Sequence, residues 1–101
     1  SQEEILAEKI RAVMTRRKGR DLYDLWFLLS KGVRVRSEMV KKKLNYYKLT
    51  DVTETDVLKR IASFPQKEFV LDLRPFVPQN ERERLPEFFA VLQAQIKQKF
   101  S

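Results

Sequence analysis

The feature that most limits the fold of this chain is a central apolar segment. Residues 22–29 carry apolar side chains around nearly the whole circumference of a helix, so this helix must lie in the middle of a domain. Turn signals are too sparse for a β-sandwich, since there are only two glycines and the four prolines all lie between Pro65 and Pro86. We therefore expect an all-α protein, a compact bundle of about five helices that forms a single domain over residues 1–101.

Two helices are predicted in the first third of the chain. The first covers residues 2–14, and a basic turn over residues 15–19 leads to a second helix over residues 20–31. Gly19 is expected to end the first helix in the left-handed conformation, and Gly32 is expected to close the second. Glycine adopts that conformation without steric cost.

Two further helices are predicted in the middle of the chain. Ser37 is a candidate N-cap for a third helix that ends near Tyr47, and the Tyr47 ring is expected to belong to the core. Thr53 and Asp56 resemble a capping box that opens a fourth helix, which ends before Pro65.

The segment over residues 67–73 is ambiguous from its pattern alone. Some of its apolar residues alternate as in a strand, whereas others keep the spacing of a helix. We favour a short helix, because a lone strand would have no partner. Pro75 and Pro78 predict an extended bend, and a last helix is predicted over residues 85–100. Its inward-facing residues are predicted to be Phe88, Phe89, Leu92 and Ile96.

Composition excludes several classes of protein. The chain has no cysteine and no histidine, so it can form no disulfide, no thiolate zinc site and no histidine-ligated metal site. No apolar run is longer than that of residues 25–29, which is far shorter than the roughly 20 residues that span a bilayer, and the acidic start is unlike a signal peptide. We expect a soluble cytoplasmic protein without membrane contact.

The net charge of +7 is confined to the first half of the chain. Residues 1–48 contain thirteen Lys and Arg against six Asp and Glu, whereas residues 49–101 contain eight of each class. A one-sided basic surface favours a polyanionic partner such as nucleic acid or a nucleotide. A basic face that only aids solubility is an equally good interpretation.

Three charged residues occupy positions where the helical pattern calls for apolar ones. Lys9 falls inside the apolar arc of the first helix, between Ile5 and Val13. Asp21 and Asp24 interrupt the central helix on one face. A lysine stem that lies on apolar surface with its ammonium in water would explain Lys9, and a helix cap would explain Asp21.

An antiparallel pairing of the first two helices would bring these three residues together. Lys9 could then meet Asp21 and Asp24, either in a structural ion pair or in a site that presents a lysine to phosphate. Four basic residues beside this site could lead a nucleotide or an RNA end toward Lys9, and residues 41–43 form a second basic run next to Tyr46, a candidate for base stacking. The four are Arg16, Arg17, Lys18 and Arg20.

Two short stretches of the first two helices resemble motifs of a known protein family. The third and fourth motifs of the AbiEii/AbiGii-type toxin nucleotidyltransferases are similar to EKIRA at residues 8–12 and GRDLYDL at residues 19–25. The resemblance is specific over residues 5–29. Beyond them only the helical style and a late DLRPF segment are similar.

The resemblance implies a fold, a role for each site residue and a set of partners. The chain would be the C-terminal helical lobe of a polymerase-β-like nucleotidyltransferase, in which Lys9 contacts nucleotide phosphate and Asp21 is the motif-four aspartate. Asp24 matches the trailing acidic position. The implied partners are an N-terminal nucleotidyltransferase core, a nucleoside triphosphate, RNA such as a tRNA acceptor end, and an antitoxin. Mg²⁺ is the implied cofactor of the full-length protein.

One departure from the family decides the expectation for activity. The family holds triphosphate and magnesium with a Gly-Gly motif and an Asp-x-Asp-type motif, and this sequence contains neither. A carboxylate pair that holds two magnesium ions is central to nucleotidyl transfer. We therefore expect a truncated or excised domain that binds no metal by itself and is catalytically silent in isolation.

Two other functions stay open from the sequence. The chain could be a stand-alone helical module that binds nucleic acid through its basic half. It could instead be a protein-interaction domain whose exposed aromatic patch docks a partner.

Overall fold

The computed structural model describes residues 1–100 and confirms the all-helical expectation. These residues form six α-helices and two 3₁₀ helices, with no strand. The 3₁₀ helices, Arg74–Phe76 and Gln79–Arg84, connect the last two α-helices. In chain order the α-helices are α1 (Gln2–Thr15), α2 (Gly19–Ser30), α3 (Ser37–Tyr46), α4 (Glu54–Ala62), α5 (Gln66–Leu73) and α6 (Leu85–Phe100).

Helix α2 is the central helix, as its apolar circumference predicts. It packs against α1, α5 and α6, and its residues Leu22 and Leu25 are fully buried. Phe27 is the exception, because 46% of its surface stays exposed. Every α-helix except α3 contributes buried residues to one apolar cluster, so α3 is a peripheral helix that packs mainly on α1.

The prediction for Gly19 is wrong. Helix α1 ends at Thr15, and Gly19 is the first residue of α2, with a φ outside the left-handed region. Glycine is needed there because α5 lies against it. A Cβ at this position would lie 3.0 Å from the Cα of Phe69 and 3.0 Å from the Cβ of Asp72. Gly32 follows the end of α2, as predicted, and its φ of 87° lies in the left-handed region.

The beginning and the end of α3 also differ from the prediction. Ser37 is its first helical residue, and Arg36 occupies the N-cap position without a side-chain hydrogen bond. Tyr47 follows the end of α3 and is 46% exposed, because the helix is anchored by the buried Leu44 and stops before Tyr47. Ile5, which was expected on the buried arc of α1, is 51% exposed.

The capping box of α4 is confirmed. The Thr53 hydroxyl accepts a hydrogen bond from the Asp56 amide at 3.2 Å, and the Asp56 carboxylate accepts one from the Thr53 amide at 2.9 Å. The hydrogen bonds from Thr53 lower the pKa of Asp56, because they stabilise its ionised form.

The ambiguous segment is a helix, α5, as favoured from the sequence, and the described residues contain six α-helices where about five are predicted. The extended bend predicted at Pro75 and Pro78 is wrong for Pro75, which lies inside the first 3₁₀ helix. Its fixed φ suits an early helical position. Pro78 does keep an extended conformation. Helix α6 has the predicted bounds, with Phe89, Leu92 and Ile96 buried and Phe88 half-buried.

Two polar contacts fix α1 and α2 within the bundle. The Trp26 indole donates to the side chain of Gln95 on α6 at 2.6 Å. Arg60 on α4 donates to the carbonyl of Val13, near the end of α1, at 3.0 Å. Within residues 1–100, no helix combines the length and the hydropathy that a bilayer crossing requires.

Candidate functional site

The candidate site lies on the helical hairpin formed by α1 and α2. Only residues 16–18 separate the two helices. Residues later in α2 contact residues earlier in the chain on the α1 side, as in an antiparallel pair. Arg16 meets Asp21 close to the turn, and Lys9 meets Asp24 further from it. This is the antiparallel arrangement that the sequence predicts.

The Lys9 ammonium lies between two carboxylates. Its Nζ is 2.8 Å from Oδ2 of Asp24 and 3.5 Å from Oδ1 of Asp21. The Lys9 side chain is 26% exposed, so most of it is covered but it is not closed off from solvent. The charge on the apolar arc of α1 is therefore paired, which removes most of the cost of placing it there.

Asp21 is a fixed anionic anchor. Only 3% of this residue is exposed, and it is the one buried charged residue in the part of the chain that the structure describes. Arg16 donates two hydrogen bonds to its carboxylate, from Nε to Oδ2 at 2.7 Å and from Nη2 to Oδ1 at 3.1 Å. The hydrogen bond to Asp21, together with its charge, raises the pKa of Arg16. Asp21 is not the cap of α2, whose N-cap is Lys18.

Asp72 supplies the cap that α2 lacks locally. Its Oδ2 accepts a hydrogen bond from the Gly19 amide at 2.7 Å. The same region of the chain places Phe76 beneath Arg20, with the guanidinium carbon 4.3 Å from the ring centre. The sequence pattern identifies neither Asp72 nor Phe76 as a site residue. The sequence does show a glycine at the start of α2 with no capping side chain before it. The carboxylate that accepts the hydrogen bond of this glycine lies 53 positions away in the chain.

These residues line an open cleft of about 490 Å³. Three of the four predicted basic residues take part, since Arg16, Lys18 and Arg20 line the cleft and Arg17 does not. Lys18 forms no ion pair within residues 1–100, so its ammonium is available to an anion. The full lining is Lys9, Arg16, Lys18, Arg20, Asp21, Asp24, Asp72 and Phe76.

The second basic run, residues 41–43, lies on α3 and does not line this cleft. Lys43 pairs with Glu8 on α1 at 3.5 Å, while Lys42 is exposed and unpaired in the described chain. Tyr46 is 83% exposed and packs edge-on against Tyr47, and the Arg11 guanidinium lies 4.3 Å from the centre of the Tyr47 ring. This surface offers two aromatic rings and several cations.

The carboxylates of the cleft do not form a metal site. Across residues 1–100 there is no group of three or more potential protein ligands that could hold a metal ion. Both oxygens of Asp21 are engaged by Arg16, and Asp24 is paired with Lys9. The residues present therefore do not fit the magnesium that the family resemblance implies.

The fold and the site define an all-helical domain with a basic cleft beside a helical hairpin. The family described as "Nucleotidyl transferase AbiEii toxin, Type IV TA system" matches residues 1–97. The chain belongs to this family. Neither a curated protein nor a solved structure matches the chain significantly.

Proposed function

We propose that this chain is the helical lobe of a polymerase-β-like nucleotidyltransferase of the abortive-infection toxin type. In this proposal Lys9 contacts nucleotide phosphate, and Asp21 contributes to an active site shared with an N-terminal core. The observation that carries the proposal is the position of the Lys9 ammonium, 2.8 Å from Asp24 in an open basic cleft. Family membership supports the reaction class.

The two aspartates have different environments, which suits them to different roles. Asp21 is buried and held by Arg16, so it keeps the ammonium in place. The Asp24 side chain is 39% exposed, so solvent and ligands can reach its contact with Lys9. An incoming phosphate can replace Asp24 as the partner of Lys9 without leaving a charge buried and unpaired.

The remaining cations give the cleft its attraction for a polyanion. Lys18 and Arg20 line it, and Arg17 is exposed at the turn beside it. Cations at this density raise the local concentration of an anionic substrate and speed its approach. We assign them to substrate binding, with a nucleoside triphosphate and an RNA end as the substrates and an antitoxin as the regulatory partner.

Magnesium belongs to the core in this proposal. The sequence has no Gly-Gly and no Asp-x-Asp, and the cleft carboxylates are already paired with cations. We therefore propose that the chain alone has no transferase activity. Its own contribution is to position a lysine and to attract the anionic substrate.

A binding titration tests this function. Nucleoside triphosphates are titrated into the chain and followed by calorimetry, and the Lys9→Ala variant is compared with Lys42→Ala, a matched control outside the cleft. A charge-assisted hydrogen bond contributes about 1.5–3 kcal/mol, so Lys9→Ala should weaken binding by roughly tenfold to a hundredfold. Equal affinities for the two variants would remove the assigned role of Lys9.

A second function is favoured by the exposed tyrosines of α3 and the turn that follows it. Tyr46 and Tyr47 could stack on nucleic-acid bases beside Arg11, as a free-standing RNA-binding module would do. Replacing Tyr46 and Tyr47 together with alanine distinguishes the two functions. If this double change abolishes RNA binding while Lys9→Ala leaves it unchanged, the module function is the better account.

A further inference from the structure

A second and larger cavity shares no residue with the basic cleft. It is an open groove of about 760 Å³, bordered by α1, α3, α4 and the ends of α2 and α6. Its buried floor is Ile10, Leu29, Leu44 and Val57, and its half-buried walls are Val33, Val35, Val40, Val52 and Phe100. The proposed nucleotidyltransferase function gives this groove no role.

The rim of the groove is basic. Arg34, Lys41 and Lys99 line it and form no ion pair within residues 1–100, whereas Arg36 is paired with Glu3 at 2.8 Å. Glu54 is the one acidic residue among the described lining residues. The groove therefore attracts an anionic occupant, and a second copy of a chain with a net charge of +7 is disfavoured.

One wall of the groove is an extended backbone segment, residues 33–36. Exposure alternates along it, since Val33 and Val35 are half-buried while Arg34 and Arg36 are exposed. Within the described residues, the backbone amide and carbonyl of Arg34 and Val35 form no hydrogen bond. Such a segment can pair with an extended peptide through main-chain hydrogen bonds.

We propose that this groove binds an extended acidic segment of a partner protein. Alternate apolar side chains of the segment fill the valine-lined groove, and the carboxylates between them face Arg34, Lys41 and Lys99. The volume lies within the range of about 300–1,000 Å³ that is typical of ligand pockets. The free main-chain groups of this segment favour a peptide over a small amphiphile, which has no backbone to pair with them. Because neighbouring residues of an extended segment point their amide and carbonyl to opposite sides, one peptide strand pairs with either Arg34 or Val35.

A synthetic hexapeptide of alternating Val and Glu tests the proposal on the chain itself. Fluorescence anisotropy of the labelled peptide should show saturable binding, and the amide resonances of Arg34 and Val35 should move most in the protein spectrum. A hexapeptide of alternating Val and Lys should not bind. Lys41→Glu should weaken binding by about three- to tenfold, while its neighbour control Lys42→Glu should change it by less than about twofold.

Four results would overturn the proposal. They are an absence of saturable binding, equal effects of the two lysine substitutions, resonance changes centred on Lys9 instead of Val35, and tighter binding of decanoate or anionic vesicles than of the acidic peptide. The Val40→Thr variant, which keeps the side-chain shape but adds a hydroxyl to the groove wall, gives a second check. Val40→Thr should weaken binding of the acidic peptide and leave nucleoside triphosphate binding unchanged. This result does not depend on whether the proposed nucleotide function is correct.

Discussion

Replacing Gly19 with alanine tests how the hairpin is held against α5. The added Cβ would lie 3.0 Å from the Phe69 backbone and 3.0 Å from the Asp72 Cβ, and neither atom can rotate away. Helix α5 must then move outward. That movement lengthens the 2.7 Å hydrogen bond through which Asp72 caps α2.

The expected loss of stability follows from two opposing effects. Overpacking of a tight contact costs about 1–3 kcal/mol. Alanine recovers up to about 1 kcal/mol through its better helix propensity. We therefore expect Gly19→Ala to lower the free energy of unfolding by about 1–2 kcal/mol, which corresponds to a fall in Tm of roughly 4–15 °C for a domain of this size.

Thermal and urea unfolding followed by circular dichroism measure this change. Gly32→Ala is the comparison, because its φ of 87° strains any side chain although no atom lies within 4 Å of the added Cβ. It should lower stability by about 1–2 kcal/mol through backbone strain and leave the cleft resonances unchanged. Gly19→Ala should shift the resonances of Asp21 and Asp72. If Gly19→Ala is as stable as the parent chain, the close approach of α5 to α2 is refuted.

Three further predictions concern stability. Asp21→Asn should lower the free energy of unfolding by about 1–3 kcal/mol, because the hydrogen bonds of a buried carboxylate to Arg16 are weakened; unchanged urea unfolding would contradict this. Because the pKa of Asp56 is lowered in the folded state, its ionised carboxylate stabilises the fold at pH values above the ordinary carboxylate pKa. This stabilisation is lost as the pH falls through the lowered folded-state pKa. Asp56→Asn should therefore flatten the loss of stability below about pH 4, and an unaltered pH profile would argue against the capping box. Leu25→Ala should cost about 2–5 kcal/mol in chemical denaturation, since Leu25 is fully buried, and a loss below 1 kcal/mol would place α2 at the surface.

The hairpin site was predictable because its signals are local. Lys9, Asp21 and Asp24 stand out against the helical period of two adjacent helices, and a three-residue connection leaves few ways for those helices to pair. The pairing then follows from the need to neutralise a charge on an apolar surface.

The parts that could not be predicted depend on contacts between distant segments. A glycine at position 19 suggests a turn, but glycine is needed there because α5 packs closely against it. No local sequence pattern identifies that contact. The same holds for Asp72 and Phe76, which reach the cleft only through the packing of α5 on α2. Tyr47 was misplaced because α3 stops one residue before it, and helix ends vary by a residue or two.

The groove could not be predicted from the sequence for a different reason. Its walls come from valines at residues 33, 35, 40 and 52, which look like ordinary core residues in the sequence. They stay half-buried because α3 is a peripheral helix outside the main apolar cluster. Only the arrangement of α3 and α4 shows that they share one open surface.

The most direct test of the account is nuclear magnetic resonance of the lysine ammonium groups in the chain labelled with ¹⁵N-lysine. An ammonium held by both Asp21 and Asp24 exchanges slowly with water, so the Lys9 signal should be visible where that of the exposed Lys42 is averaged away. On addition of inorganic triphosphate, the Lys9 signal should move in a saturable way. A Lys9 ammonium that behaves like Lys42, or that ignores triphosphate at saturating concentration, would contradict the role given to this hairpin.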